Sequence, residues 1–171
     1  ADNTPWFGCD GGVWRRVGNS WINCNATLSA IQNYTIHEHP NDAARVMTGT
    51  QDNGMAGTST GSLAWPQLTA GDGGYGAYLQ DVYTTLFTTY VYLRVYRKTG
   101  NTTTDISGPW SNDAREWVAP LVADVNGGTT IYGGSNRVWR NLSSLSGGSA
   151  NWTAISDTSV ADGGTLTAIA T

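Results

Sequence analysis

A tryptophan returns at Trp21, Trp65, Trp110 and Trp152, at intervals of 44, 45 and 42 residues, and this period limits the possible folds more than any single residue. A second marker keeps the same step: Gly8, Gly49 and Gly133 lie 41 and then 84 residues apart, the latter being twice 42. Between the markers run short stretches of alternating or β-branched residues, bounded by Gly, Asn, Asp and Pro. None has the extended apolar spacing of a long helix. A fixed period of about 43 residues built from strands predicts the blades of a β-propeller. The expected fold is therefore all-β, one domain over 1–171, with four blades per chain.

The second copy is the plainest. Residues 34–39 alternate as an inner strand, stopped by Pro40, Asn41 and Asp42. Residues 45–50 form the next strand, ending in the Asp52-Asn53-Gly54 turn, with a third strand over 55–60. Residues 63–68 make the outer edge, where Pro66 breaks no ladder. The fourth copy repeats the plan over 120–124, 130–134, 137–140 and 151–155, with a turn at Ser135-Asn136. The third reads as 75–79, 82–88 and 91–97, followed by a Thr-rich loop to Trp110. The first copy begins at a second strand, 6–9, then 13–16 and 20–24. Its missing inner strand is expected at residues 165–170, so that both termini complete one blade and remove an exposed edge. The blades are then roughly 1–25 plus 165–171, 33–69, 72–111 and 117–157. Half of a larger ring, shared between two chains, is the alternative; the chain is a monomer in the first case and a homo-oligomer in the second.

Charged residues make up 13% of the chain, Lys98 is the only lysine and the net charge is −4. That excludes the basic stripe a nucleic-acid partner requires. No segment reaches the ~18 apolar residues of a membrane span. The Thr, Ser and Asn content and the near absence of lysine place the chain outside the cell or at its surface. Sequons at Asn25, Asn33, Asn101, Asn141 and Asn151 are glycosylation candidates. Cys9 and Cys24 are the only cysteines and form a disulfide candidate. Two strand spacings of about 4.8 Å separate them in the blade scheme, so a bond needs the outer strand to fray.

The stretches 10–15, 34–40, 49–54 (Gly-Thr-Gln-Asp-Asn-Gly) and 71–75 (Gly-Asp-Gly-Gly-Tyr) resemble secreted propellers with sialidase-type (BNR/Asp-box) repeats. That superfamily includes sortilin-like receptors, the photosystem II assembly propeller and xyloglucan-active glycoside hydrolases. The resemblance covers nearly the whole chain. Only residues 18–21 and 146–152 keep traces of the Ser-x-Asp-x-Gly-x-x-Trp box.

In a propeller, the turns between second and third strands open on the same face as the links between blades. That rule gathers Asp10, Asp52, Asn53, Asp72 and Asn136 on one rim. Carboxylates there suit a calcium ion or an acid/base pair acting on a sugar. Asp10, Asp52 and Asp72 are thus the catalytic candidates, although Asp-Gly and Asn-Gly are also what tight turns demand. Trp14 and Trp139, with Trp6 and Trp117, are candidates for stacking on sugar rings, and wedge filling between blades is their bland reading. His37 and His39 share a strand face at metal-pair spacing, but no third ligand of matching type accompanies them. Arg15, Arg94 or Arg97, and Arg137 or Arg140 recur with the repeat, as structural pairs would. Glu38 and Glu116 are the only glutamates. The leading expectation is a non-catalytic structural or ligand-binding module of a surface assembly, its partners glycans or other protein subunits. The alternatives are a glycoside hydrolase and a carbohydrate-binding lectin.

Overall fold

The computed structural model of the 171-residue chain describes residues 4–9, 12–27 and 30–171. They are all-β: three four-stranded antiparallel sheets, one three-stranded sheet and single 3-10 turns, with no α-helix among the described residues. The chain divides into two compact units, Ala1–Ile31 and Gln32–Thr171.

The first unit is the sheet β1 (Trp6–Cys9), β2 (Gly12–Val17) and β3 (Ser20–Asn23), in that order. Asn25 closes its end by accepting the Val13 N–H at 2.8 Å. Phe7 and Trp21 meet at 6.3 Å between ring centroids. Cys9 and Cys24 are free thiols, so the candidate disulfide is not formed. Cys9 lies opposite Gly12 and Cys24 donates its N–H to the Val13 carbonyl, which leaves β2 between them. Two spacings of about 4.8 Å exceed disulfide reach.

The second unit holds three meanders. The second sheet is β4 (Asn33–His39), β5 (Asp42–Thr50), β6 (Gly54–Thr58) and β7 (Gln67–Thr69). The third is β8 (Gly76–Tyr78), β9 (Thr85–Tyr90), β10 (Arg94–Thr99) and β11 (Thr102–Asp105). The fourth is β12 (Leu121–Ala123), β13 (Ile131–Gly134), β14 (Val138–Asn141) and β15 (Trp152–Ala154). Within this unit β8 packs beside both β4 and β12, so the first strands of the three sheets are neighbours.

Burial follows the sheets. Met47, Met55 and Tyr78 form a cluster with Leu68 and Leu86. Phe87, Leu93, Val95, Ile106, Leu121 and Ile131 form a larger one with Trp110, Trp139 and Trp152. Trp110 lies edge-on to both other indoles, at 5.7 and 4.9 Å, and Trp152 Nε1 donates to the Ile106 carbonyl. Of the four periodic tryptophans, Trp110 and Trp152 are therefore core residues, while Trp21 and Trp65 are exposed.

Four expectations are corrected. The Thr-rich segment after β10 is not a loop but contains β11, whose residues pair with 96–99 of β10. Residues 91–93 are a 3-10 turn rather than strand, and β7 begins after Pro66. Residues 165–170 form no strand and complete no sheet. Leu166 donates its N–H to the Ser135 carbonyl, and the Thr171 hydroxyl donates to the carbonyl of Ala123. Leu166 and Ile169 both close on Gly134, where an added Cβ would lie 3.1 and 3.3 Å from their side chains. Two residues three apart that share one contact cannot keep the alternation of a strand.

Candidate functional site

Within the second unit, the β5–β6, β9–β10 and β13–β14 turns share one end of the sheets with the links β7–β8 and β11–β12. Of the rim candidates, Asp10 lies outside the described residues. Asp52 and Asp72 do meet: the Asp52 N–H donates to Asp72 Oδ1 at 3.0 Å. The contact is a latch. Gly73 donates to the Thr50 carbonyl, Gly74 to the Thr89 carbonyl, and Thr35 Oγ1 to the Gly74 carbonyl at 2.6 Å. The 71–74 link is thereby stitched to both the second and third sheets. Glycine is required there because a Cβ on Gly73 would stand 2.1 Å from the Gly54 oxygen, and one on Gly49 would stand 1.9 Å from the Gly74 oxygen. Asp52 occupies the left-handed region at φ 60, as tight turns ask of Asp. Asn53 spends its amide on the Gln51 carbonyl.

The link before β12 is tied in a related way. Asp113 accepts from Ser135 Oγ at 2.7 Å, Trp139 Nε1 at 2.9 Å and Arg137 Nε at 3.2 Å. Trp139 is consequently 8% exposed and offers no face to a sugar. Asn136 donates its N–H to the Ala114 carbonyl, and its buried Oδ1 has no partner. Trp14 lies half-buried on the central strand of the first unit.

Among the described residues no group of three His, Cys, Asp or Glu stands close enough to hold a metal ion. His37 packs on Tyr75 and His39 on Tyr78 and Tyr83. Burial lowers the His37 pKa to about 4, and Nε2 of both imidazoles is buried without a partner. Glu116 accepts the Thr165 hydroxyl. Of the sequons, Asn141 is buried, 1% exposed, whereas Asn101 stands exposed at the β10–β11 turn.

One surface at this end is not revealed by residue order. Tyr92 (φ 55, ψ 41) and Leu93 (φ 61) occupy the left-handed region in succession. Each costs on the order of 1 kcal/mol for a non-glycine residue. Leu93 is held there by complete burial, and Tyr92 by its N–H to the Trp117 carbonyl at 3.0 Å. The result stands the Tyr92 ring edge-on to Trp117, with centroids 5.2 Å apart and planes at 83°. Tyr92 remains 48% and Trp117 44% exposed. Beside Tyr92 opens a cleft of about 390 Å³, lined among others by Tyr90, Arg94, Asp105 and Arg115. Arg94 Nε lies 2.9 Å from Asp105 Oδ2. Burial works against the Asp105 carboxylate, but hydrogen bonds from Ser107 and from Arg94 outweigh it and hold its pKa below the usual range. Arg115 has no ion pair among the described residues.

The sequence signals Trp117 as a surface aromatic; Tyr92 carries no signal, since nothing in Val-Tyr-Leu announces a left-handed kink. No known family model matches the chain, and a comparison with curated proteins finds no match either.

Proposed function

We propose that the four sheets are consecutive blades of a β-propeller, and that the chain is a non-catalytic, extracellular binding module for a glycan. The observation that carries this reading is the Tyr92–Trp117 pair: two half-exposed rings fixed at 5.2 Å by a strained turn. Strain kept in a turn that presents aromatic surface is characteristic of ligand clamps. Tyr and Trp rings offer flat apolar faces with a polar tip, which suits the apolar face of a pyranose. The neighbouring cleft adds hydrogen-bonding groups. The rim acids support the non-catalytic part, because Asp72 is committed to the Asp52 N–H and Asp113 to three donors. The adjacent first strands β4, β8 and β12 support the blade arrangement.

The test is a glycan array probed with the parent protein and with Trp117→Ala and Tyr92→Asn, with reducing-end release assayed on every hit. Binding without release is expected, with both variants losing at least about tenfold in affinity, a typical loss for an aromatic stacking contact. Tyr92→Asn should stay within about 1 kcal/mol of the parent in stability. Asn tolerates the left-handed region, and that gain offsets the lost ring contact of about 1 kcal/mol. An array without hits, release of reducing ends from any hit, or undiminished binding by both variants overturns the reading.

A further inference from the structure

A separate cavity of about 450 Å³ lies between the second and third sheets, at the end opposite the Tyr92 turn. It is framed by the segment after β6, the β8–β9 connection and the β10–β11 turn. Its floor is aliphatic: Leu68 and Leu86, which also pack on the Met47–Met55 cluster. Its charged lining is Arg45 and Lys98, with no Asp or Glu, in a chain where 13 acids face 9 Lys and Arg.

The two cations are not equivalent. Arg45 Nε is 3.0 Å from Asp42 Oδ2, its guanidinium donates to the Tyr83 carbonyl at 3.1 Å and it lies 5.5 Å from the Tyr83 ring centroid. Its charge is countered and its position fixed. Lys98 is half-buried and has no ion pair among the described residues, so its ammonium is the uncompensated charge of the cavity. Such a side chain lays its methylene stem along apolar surface and keeps its head at the opening. The Tyr83 ring is already stacked on His39, with centroids 4.5 Å apart and planes 19° apart. His39 and the Arg45 guanidinium thus both lie against the Tyr83 ring, which leaves it less suited to stacking on a sugar than Tyr92 and Trp117.

We infer that this cavity binds a small organic anion with an apolar body, an aryl-alkyl or medium-chain carboxylate, whose chain rests on Leu68 and Leu86 and whose carboxylate meets Lys98. Its volume lies within the range of about 300–1,000 Å³ of small-ligand sites, and an apolar floor with a few convergent polar groups is their usual make-up.

The experiment titrates 4-phenylbutyrate, and separately its uncharged analogue 4-phenylbutanamide, into the ¹⁵N-labelled full chain. Saturable amide shifts are expected at Thr58, Leu86 and Lys98, with the amide analogue bound about tenfold more weakly. Lys98→Met should lose about tenfold for the acid and leave the analogue unchanged, while Lys98→Arg retains the acid. Ala64→Trp, at the exposed mouth, should block both. Unshifted Trp110 and Trp152 indole signals verify that each variant is folded. Equal binding of acid and analogue, undiminished acid binding by Lys98→Met, or no saturable shift overturns the inference.

Discussion

His37 shows how a single side chain sets a pH limit. It projects from β4 towards a cleft of about 290 Å³ that Glu38, Tyr78, Leu121 and Asp124 also line. Burial favours its neutral form and lowers its pKa from 6.5 to about 4. A depressed folded-state value means that the folded chain resists a proton the unfolded chain accepts. The contribution to stability is therefore complete above pH 6.5 and is lost as pH falls towards 4, by about 3 kcal/mol at that point. Glu38 and Asp124 line the same cleft, and the difference between parent and His37→Phe isolates the imidazole from them. Denaturant midpoints from pH 7 to 4 should fall less steeply in His37→Phe, and coincident slopes would refute the assignment. His37 and His39 were legible in the sequence as two residues on one face of an inner strand. Their orphaned Nε2 atoms were not, because burial depends on Tyr75, Tyr78 and Tyr83, some 40 positions away.

At the scale of elements, the link 71–74 does more than connect β7 to β8. Its glycines pass so close to the β5–β6 turn that a methyl group on Gly73 would overlap the Gly54 carbonyl at 2.1 Å. Backbone must move to accommodate it, and overpacking of this kind costs at least about 2 kcal/mol. Gly73→Ala should lower stability by that amount in chemical denaturation. Gly8→Ala, where nothing lies within 4 Å, should stay within about 0.5 kcal/mol. Equal effects at the two positions would remove the latch from the account. The Asp52–Asp72 pairing was visible in sequence as a shared rim, yet its use as a backbone acceptor was not, since Asp-Asn-Gly reads alike in a turn and in a site. Strands were legible where alternation ends in strong turn residues, as in β4 and β5. They were obscured where one composition serves two conformations. Thr102–Asp105 looks like a polar loop but pairs along β10, and 166–169 has a strand-like apolar content but folds onto Gly134.

Taken as a whole, the chain distributes its burial unevenly between its two units. Both apolar clusters belong to Gln32–Thr171. In Ala1–Ile31 no described residue is fully buried, and Trp6 and Phe7 are 58% and 56% exposed. A sheet of three strands without a buried face is marginal in water, because its backbone hydrogen bonds must offset the chain entropy almost unaided. The tail that was expected to supply its fourth strand is bonded to the fourth sheet instead. Opening of β1–β3 should thus occur far below the free energy of global unfolding. Hydrogen exchange should find the β2 amides protected at least about a hundredfold less than those of β9 and β13, a difference of roughly 3 kcal/mol. Limited proteolysis should first cut within residues 1–31 and leave a resistant product beginning near Gln32. Equal protection of β2 and β9 in the isolated chain would show that the first sheet draws its stability from contacts beyond its own three strands.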